Sequence, residues 1–484
     1  MPSLKKNFFY SGFLTTANYI FPLLTYPYVS RVLGVTNIGL CNFVDSIVNY
    51  FILFSMMGIN IVGIREVAAC KGNRQKLSNV FNGLLWLNTI TTIIALVVLV
   101  VTVIMIEQLR EHWDLMVVGA IKLATNFMLI EWFYKGLEEF KFITIRTLIV
   151  KILYVSTVFI FVNDRNDLTI YYLLTVLMIT VNALINIIYS KRYVSFYFRG
   201  VEIRKYFKSF LLLGIYMLLT SMYTTFNVAY LGFVAGETEV GYYTTASKLF
   251  QIFIALFTAF TGVMLPRMSS LLSEGKVDEF KKYLSKSVEI LYLFSVPIVI
   301  VAIVYAPVII RVMAGEGYEG AILPMRIIIP MVAIIGYEQI IIVQGLMPLK
   351  QDKAILKNSL FGALAGITLN IMLVSSFKSI GSSIVWIVSE IVVLIGVQYC
   401  LGKSLKIVFP WKSLLKHIAI NIPLAILIIY AYISIDTIWK SVIISSVIFI
   451  SYELIVQFIM PNEDVAKVLK TIPLASRIVK FNKE

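Results

Sequence analysis

The sequence predicts an all-α integral membrane protein of about fourteen transmembrane helices: two pseudosymmetric six-helix bundles around a central cavity, plus a C-terminal helix pair. Three observations carry this. Of the 484 residues 59% are hydrophobic and 14% charged, with a mean hydropathy of +0.87, whereas soluble domains carry roughly 45–50% and about 25%. The apolar residues fall into repeated runs near the roughly 20 residues that a bilayer core demands, separated by short polar connections. Lys and Arg then crowd every second connection.

Taken in order, the first run covers 7–30. It follows Lys5 and Lys6 and has no small-residue cleavage site, so it reads as a retained first helix and not a cleaved signal. Pro22 and Pro27 predict a kink within it, suited to a bending gate. A second run spans 36–62 and is followed by Arg65, Lys71, Arg74 and Lys76. Runs at 80–106 and 113–135 lead to Lys135, Lys141 and Arg146, and runs at 142–162 and 168–190 to Lys191, Arg192, Arg199, Arg204, Lys205 and Lys208. After 207–234 and 238–265 come Arg267, Lys276, Lys281, Lys282 and Lys286; after 286–310 and 321–347, Lys350, Lys353 and Lys357. Runs at 354–376 and 380–401 precede Lys403, Lys406, Lys412 and Lys416, and 413–433 and 440–460 complete the set. The alternate connections hold one cation or none each, namely Arg31, Arg110, Arg165, Arg311, Lys378 and Lys440. This phase places both termini in the cytoplasm and requires an even number of spans. The tail from Pro461 to Glu484 and the segment Met268–Lys286 mix apolar and basic residues at helical spacing and read as interfacial amphipathic helices.

An internal repeat organises the chain. GVTNIG ends at Gly39 and GETEVG at Gly241, while GIRE (Gly63–Glu66) and LPRM (Leu265–Met268) place Arg65 and Arg267 at the same offset of 202 residues. KGLEEFK from Lys135 and QGLMPLK from Gln344 repeat at an offset of 209. Six spans per unit give both units one orientation, related by an axis along the membrane normal. The expected divisions are 1–206 and 207–402 for the two bundles, 403–460 for the last helix pair and 461–484 for a cytoplasmic tail.

Ionisable residues inside spans are costly, roughly 2.5–3.5 kcal/mol each on insertion scales, so they face protein or water. They are Asp45, Lys122, Glu131, Lys151, Lys248, Arg326, Glu338 and Glu390. Lys151 lies near a span end and reads as a snorkelling side chain. Asp45 and Lys248 sit six and seven residues after the repeat glycines. Spans four and ten each carry a cation (Lys122, Arg326) and then a carboxylate (Glu131, Glu338). A cavity holding Lys122, Lys248 and Arg326, with Arg31 at the end of the first span, suits a substrate bearing phosphate. Asp45, Glu131, Glu338 and Glu390 are then either ion-pair partners or carriers of a coupling cation. Tyr216, Tyr223 and Tyr230, with Thr220, Thr224 and Asn227 nearby, form a polar aromatic stripe on span seven. Such a stripe either faces sugars or serves as ordinary packing.

Catalysis is not indicated: there is no Walker loop, GxSxG or HExxH, and no hydrophilic domain to hold such a site. Cys41, Cys70 and Cys400, and His112 and His417, lack ligand spacing, so no metal, cofactor or disulfide is expected. The net charge of +15 lies in short loops, where anionic lipid accounts for it without nucleic acid.

YPYVSRVLGVTNIG from Tyr26, GINIVGIRE from Gly58 and EWFYKGLEEFKFITIRTLIVK from Glu131 resemble the bacterial polysaccharide or O-antigen flippases of the multidrug, oligosaccharidyl-lipid and polysaccharide exporter superfamily. The resemblance is densest over spans one to five. It implies alternating access and movement of an undecaprenyl-diphosphate-linked oligosaccharide from the cytoplasmic to the periplasmic leaflet of the bacterial inner membrane, for O-antigen, capsule or exopolysaccharide. Membrane lipid, and polymerase and chain-length proteins, are the implied partners. Two alternatives belong to the same superfamily. A multidrug or cation antiporter is expected to carry a carboxylate in its first span, and 7–30 has none. A peptidoglycan-precursor lipid flippase is expected to place basic residues early in its cavity, where this chain offers Arg31 alone.

Overall fold

The computed structural model describes residues 4–459, apart from 71, 198–202, 223, 224 and 436. The described residues are helical and turn, with no strand among them. The first half comprises α1 (Leu4–Met56), α2 (Ile59–Ala69), α3 (Arg74–Met105), α4 (Glu107–Arg110), α5 (Trp113–Asn126), α6 (Glu131–Leu137), α7 (Phe140–Phe161) and α8 (Leu168–Ser190). The second comprises α9 (Arg204–Ser221), α10 (Thr225–Ala235), α11 (Glu237–Ser273), α12 (Val277–Val304), α13 (Ala306–Met313), α14 (Ile322–Ile328), α15 (Met331–Gln339), α16 (Asp352–Leu369) and α17 (Ser375–Leu405). Helices α18 (Trp411–Ser434) and α19 (Ile438–Ile459) pair and pack on α12. Large apolar side chains point outward, Val97 at 60%, Ile160 at 63% and Ile426 at 62% exposure, while Asn88, Thr92 and Asn227 are buried within. That inverted distribution is what hydrocarbon solvent selects.

Among the described residues ten helices are long and apolar enough to cross a bilayer, or eleven if a bent pair within α11 counts as one span. The sequence led us to expect fourteen. Two of the ten are 50 and 54 residues long, and at about 1.5 Å per residue each exceeds twice the roughly 30 Å hydrocarbon core. Each is broken by a residue of positive φ, Gly34 (φ 77) in the first, which also turns at Met57 (φ 35), and Lys378 (φ 50) in the second. Helix α1 keeps helical backbone through Pro22 and Pro27, so its break falls at the glycine instead. Glycine takes the positive φ without a Cβ penalty.

The repeat is real in three dimensions. Gly34 and Gly236, 202 residues apart, adopt the same conformation (φ 77, ψ 169 and φ 84, ψ 176). A Cβ on Gly39 would lie 1.7 Å from the Glu237 carbonyl oxygen, and one on Gly241 would lie 2.3 Å from that of Val35. Residues 35 and 237 share the offset, so these two contacts are one contact and its symmetry mate, as a two-fold axis requires. Thr36 and Thr238, again 202 apart, hydrogen-bond across the axis at 2.9 Å. Spans four and ten correspond as well, because both are broken. A 3-10 turn at Phe127–Leu129 and a left-handed Ile130 separate α5 from α6, and a π segment at Ile340–Leu346 follows α15.

Met268–Lys286 is not a separate interfacial helix. Its first part completes α11, Gly275 (φ 73) closes that helix with Lys276 N–H donating to the Leu271 carbonyl, and α12 begins at Val277. The glycine C-cap makes a hairpin where amphipathic spacing alone suggested one surface helix. The expected tail helix from Pro461 lies outside the described residues.

Candidate functional site

The two halves meet along α1 and α11, whose polar faces enclose a cavity of about 230 Å³. Asn42, Asp45, Ser46 and Asn49 line it from α1 at helical spacing. Thr244, Ser247 and Gln251 line it from α11, and these are the 202-residue equivalents of 42, 45 and 49. Tyr243, Thr225 and Trp386 complete the polar wall. Pseudosymmetry therefore builds one pocket from two copies of the same face.

Asp45 is the charged lining residue, and Lys122 stands behind it. Lys122 Nζ lies 2.6 Å from Asp45 Oδ1 and 2.8 Å from Asn49 Oδ1, Asn49 donates to Asp45 Oδ2 at 2.9 Å, and the Tyr172 hydroxyl donates to Asp45 Oδ1 at 3.1 Å. The Lys122 side chain is 8% exposed against 30% for Asp45. Each group satisfies the other, as a charge pair within a membrane must. Lys248 is different. Its ammonium sits 4.7 Å from the Tyr26 ring centroid, and the Tyr26 hydroxyl is 2.5 Å from Thr245 Oγ1. Within the hydrogen-bond and ion-pair distances of the described residues Lys248 has no partner. The site thus carries one close ion pair and, beside it, one cation without a direct ion-pair partner.

Behind Trp386 lies an acidic pair. The indole Nε1 donates to Glu390 Oε1 at 3.1 Å, and the Glu338 and Glu390 carboxyl groups are close enough to act on each other. Both are buried, at 7% and 8% exposure, with no cation beside them among the described residues.

The remaining candidates go elsewhere. Arg326 is exposed and donates to the Ile303 carbonyl at 3.1 Å, away from Lys122 and Lys248. Arg31 caps the end of α13, donating to the carbonyls of Val312 and Arg311. That explains its position, since the last carbonyls of a helix lack partners. Glu131 forms ion pairs with Arg146 at 3.2 Å and Lys135 at 3.1 Å, which ties α6 to α7. Lys151 donates to Asn18 Oδ1 at 2.6 Å, with its ammonium 5.7 Å from the Phe21 ring centroid. Tyr230 packs on Phe226 with centroids 5.7 Å apart and does not line the cavity. Tyr223 lies outside the described residues, as does the side chain of Tyr216. Charge directed attention to isolated ions and missed the uncharged lining. The legible signal was the spacing of Asn42, Asp45, Ser46 and Asn49 and its echo after Gly241.

At the end opposite the basic connections the halves are joined. Besides the Gly39 and Gly241 contacts, the Tyr318 hydroxyl donates to the Ser30 carbonyl at 3.2 Å, and His112 Nε2 lies 3.5 Å from Glu237 Oε1. A second cavity, about 410 Å³ and almost wholly apolar, runs between α12, α13 and α19 past Val301, Ile309 and Phe449.

The family profile described as polysaccharide biosynthesis protein matches residues 4–272, and that described as MatE matches 213–372. A curated protein of Escherichia coli (strain K12) named "Putative O-antigen transporter" is 24% identical over 410 residues, 84% of this chain and 96% of that protein. One of the same name from Shigella dysenteriae is 23% identical over 401 residues, 81% and 98% of the two chains. In fold the chain is similar to the lipid II flippase MurJ in an inward closed conformation, with a TM-score of 0.74 and 16% identity, covering 94% of this chain and all of that one. It is also similar to an inward-facing multidrug resistance MATE family transporter, with a TM-score of 0.62 and 15% identity, covering 80% and 95%.

Proposed function

The chain belongs to the polysaccharide biosynthesis protein family, and from that premise we propose that this multi-pass membrane transporter flips a polyprenyl-diphosphate-linked oligosaccharide repeat unit from the cytoplasmic to the periplasmic leaflet of the bacterial inner membrane. The observation that carries the reading is Lys248, a cation without a direct ion-pair partner, next in sequence to the lining residue Ser247 and beside a cavity of amides, hydroxyls, one carboxylate and one indole. A phosphate oxygen would satisfy its charge. Asn42, Asn49, Gln251, Ser46 and Ser247 offer the donors and acceptors that a sugar needs, with Trp386 as an apolar platform. The pocket is smaller than the roughly 300–1,000 Å³ of common ligand sites, so the glycan enters in part, or fully once the halves separate. The apolar groove past Phe449 suits a prenyl tail.

Sidedness follows from the basic connections, which face the cytoplasm. The joined end is then periplasmic, and alternating access opens it. The acidic pair Glu338 and Glu390 is the coupling site, because buried carboxyl groups within a membrane suit a transported proton and Trp386 joins Glu390 to the cavity. In proteoliposomes an uncoupler is expected to slow wild-type transport, and a Glu338→Gln, Glu390→Gln variant to lose that response while keeping its fold. An equal uncoupler effect on both would remove the pair from coupling.

Complementation tests the whole reading. Expressed in a bacterium lacking its own O-unit flippase, wild type is expected to restore surface polysaccharide. At matched membrane abundance, Lys248→Ala should reduce it roughly 10- to 100-fold, the worth of one hydrogen bond to a charged group, and Lys248→Arg should retain most of it. Failure of wild type across several host glycans, together with resistance to cationic dyes, would replace this function with drug antiport.

A further inference from the structure

A third cavity, at the basic end, has no part in the transport site. It measures about 450 Å³ and lies between the start of α7 and the end of α8, sharing no lining residue with the central pocket. Its wall is apolar and open to the bilayer: Ile145 is 43% and Ile149 55% exposed, with Ile185 opposite. Phe142 and Tyr189 stack with centroids 3.9 Å apart, at 11°, and form one end.

The mouth is cationic. Lys141 is exposed there, and the Arg192 guanidinium carbon lies 4.8 Å from the Tyr189 ring centroid. Arg146 also lines the cavity. Its guanidinium bonds Glu131 and Asn186, while its Nε has no partner. Glu139 lines the mouth too, near Tyr193. Lys135, Lys141, Arg146, Lys191 and Arg192 stand against Glu131, Glu138 and Glu139 on α6 and these two helix ends, which leaves a net positive charge.

We propose that this groove holds an anionic phospholipid of the adjoining leaflet, its phosphate at Lys141 and Arg192 and an acyl chain along Ile145, Ile149 and Ile185. A cationic rim directly above a lipid-exposed apolar trough fits a molecule with a phosphate at one end and a hydrocarbon chain at the other. A glycan would find too few hydrogen-bonding groups along the wall, and a partner helix would not need the charge. The site is independent of the transport reading.

Photolabelling tests it. The full-length protein, purified and placed in nanodiscs, is exposed to phosphatidylglycerol carrying a diazirine on its acyl chain, or to the matching phosphatidylcholine, and labelled peptides are mapped. Phosphatidylglycerol is expected to label residues 142–150 and 185–189, to be displaced by excess unlabelled phosphatidylglycerol, and to exceed phosphatidylcholine there. Lys141→Gln and Arg192→Gln should each cost about five-fold in retention, the worth of one cation beside an anionic lipid, and Ile149→Trp should block labelling by filling the trough. Equal labelling by both lipids, no displacement by phosphatidylglycerol, or labelling unaffected by Ile149→Trp in a monodisperse sample would each overturn the proposal. So would displacement by polyprenyl diphosphate alone.

Discussion

Asp45→Asn is expected to abolish transport, and Lys122→Met to do the same, whereas the double variant recovers a measurable part of it. The two side chains meet at 2.6 Å inside the membrane, with Asn49 and Tyr172 completing the shell of Asp45. Removing one partner leaves the other as a lone charge, which costs roughly 3–5 kcal/mol for a buried pair. The lower end applies here, because the Asp45 side chain is 30% exposed. Removing both deletes the charges together and returns most of that loss. Export at matched membrane abundance, combined with thermal stability of the purified variants, measures the cycle. If the double variant is as inactive as the worse single one while stability is fully restored, Asp45 acts on the substrate directly and not through Lys122.

A second large effect is expected at the axis. Gly39→Val should eliminate transport without removing the protein from the membrane, because any Cβ at that position would sit 1.7 Å from the Glu237 carbonyl oxygen, a backbone atom that no rotamer change can move. The variant can fold each half but cannot bring them together at the joined end. Crosslinking reads this directly. In a chain whose Cys41, Cys70 and Cys400 are replaced by Ser, Thr36→Cys and Thr238→Cys should form a disulfide on oxidation, since the native hydroxyls are 2.9 Å apart. The disulfide is expected to stop transport until it is reduced, and Gly39→Val should prevent its formation. Transport that continues through the oxidised crosslink would show that this end does not open.

These effects differ in how far the sequence announces them. The offset of 202 residues between Gly39 and Gly241 was visible in the chain, and the axis contact is its direct consequence. Asp45 and Lys122 were visible as two costly charges on different spans, but nothing in a linear pattern states that they are each other's partner. The same limit applied to Arg326 and Arg31. A cation within or beside an apolar run has the same sequence signature whether it faces a cavity, caps a neighbouring helix or meets a lone carbonyl.

Hydropathy, the phase of basic loops and an internal repeat determined the solvent, the helical class and the two-fold plan, because each depends on local composition or on fixed spacing along the chain. Pairing is decided by distances between helices far apart in sequence. Only the tertiary structure could therefore show that Lys122 pairs with Asp45, that Lys248 has no ion-pair or hydrogen-bond partner, and that Glu338 and Glu390 lie together behind Trp386. Within hydrocarbon an unpaired charge is expensive and a paired one is cheap, so which ions are available for work follows from packing that the sequence does not spell out.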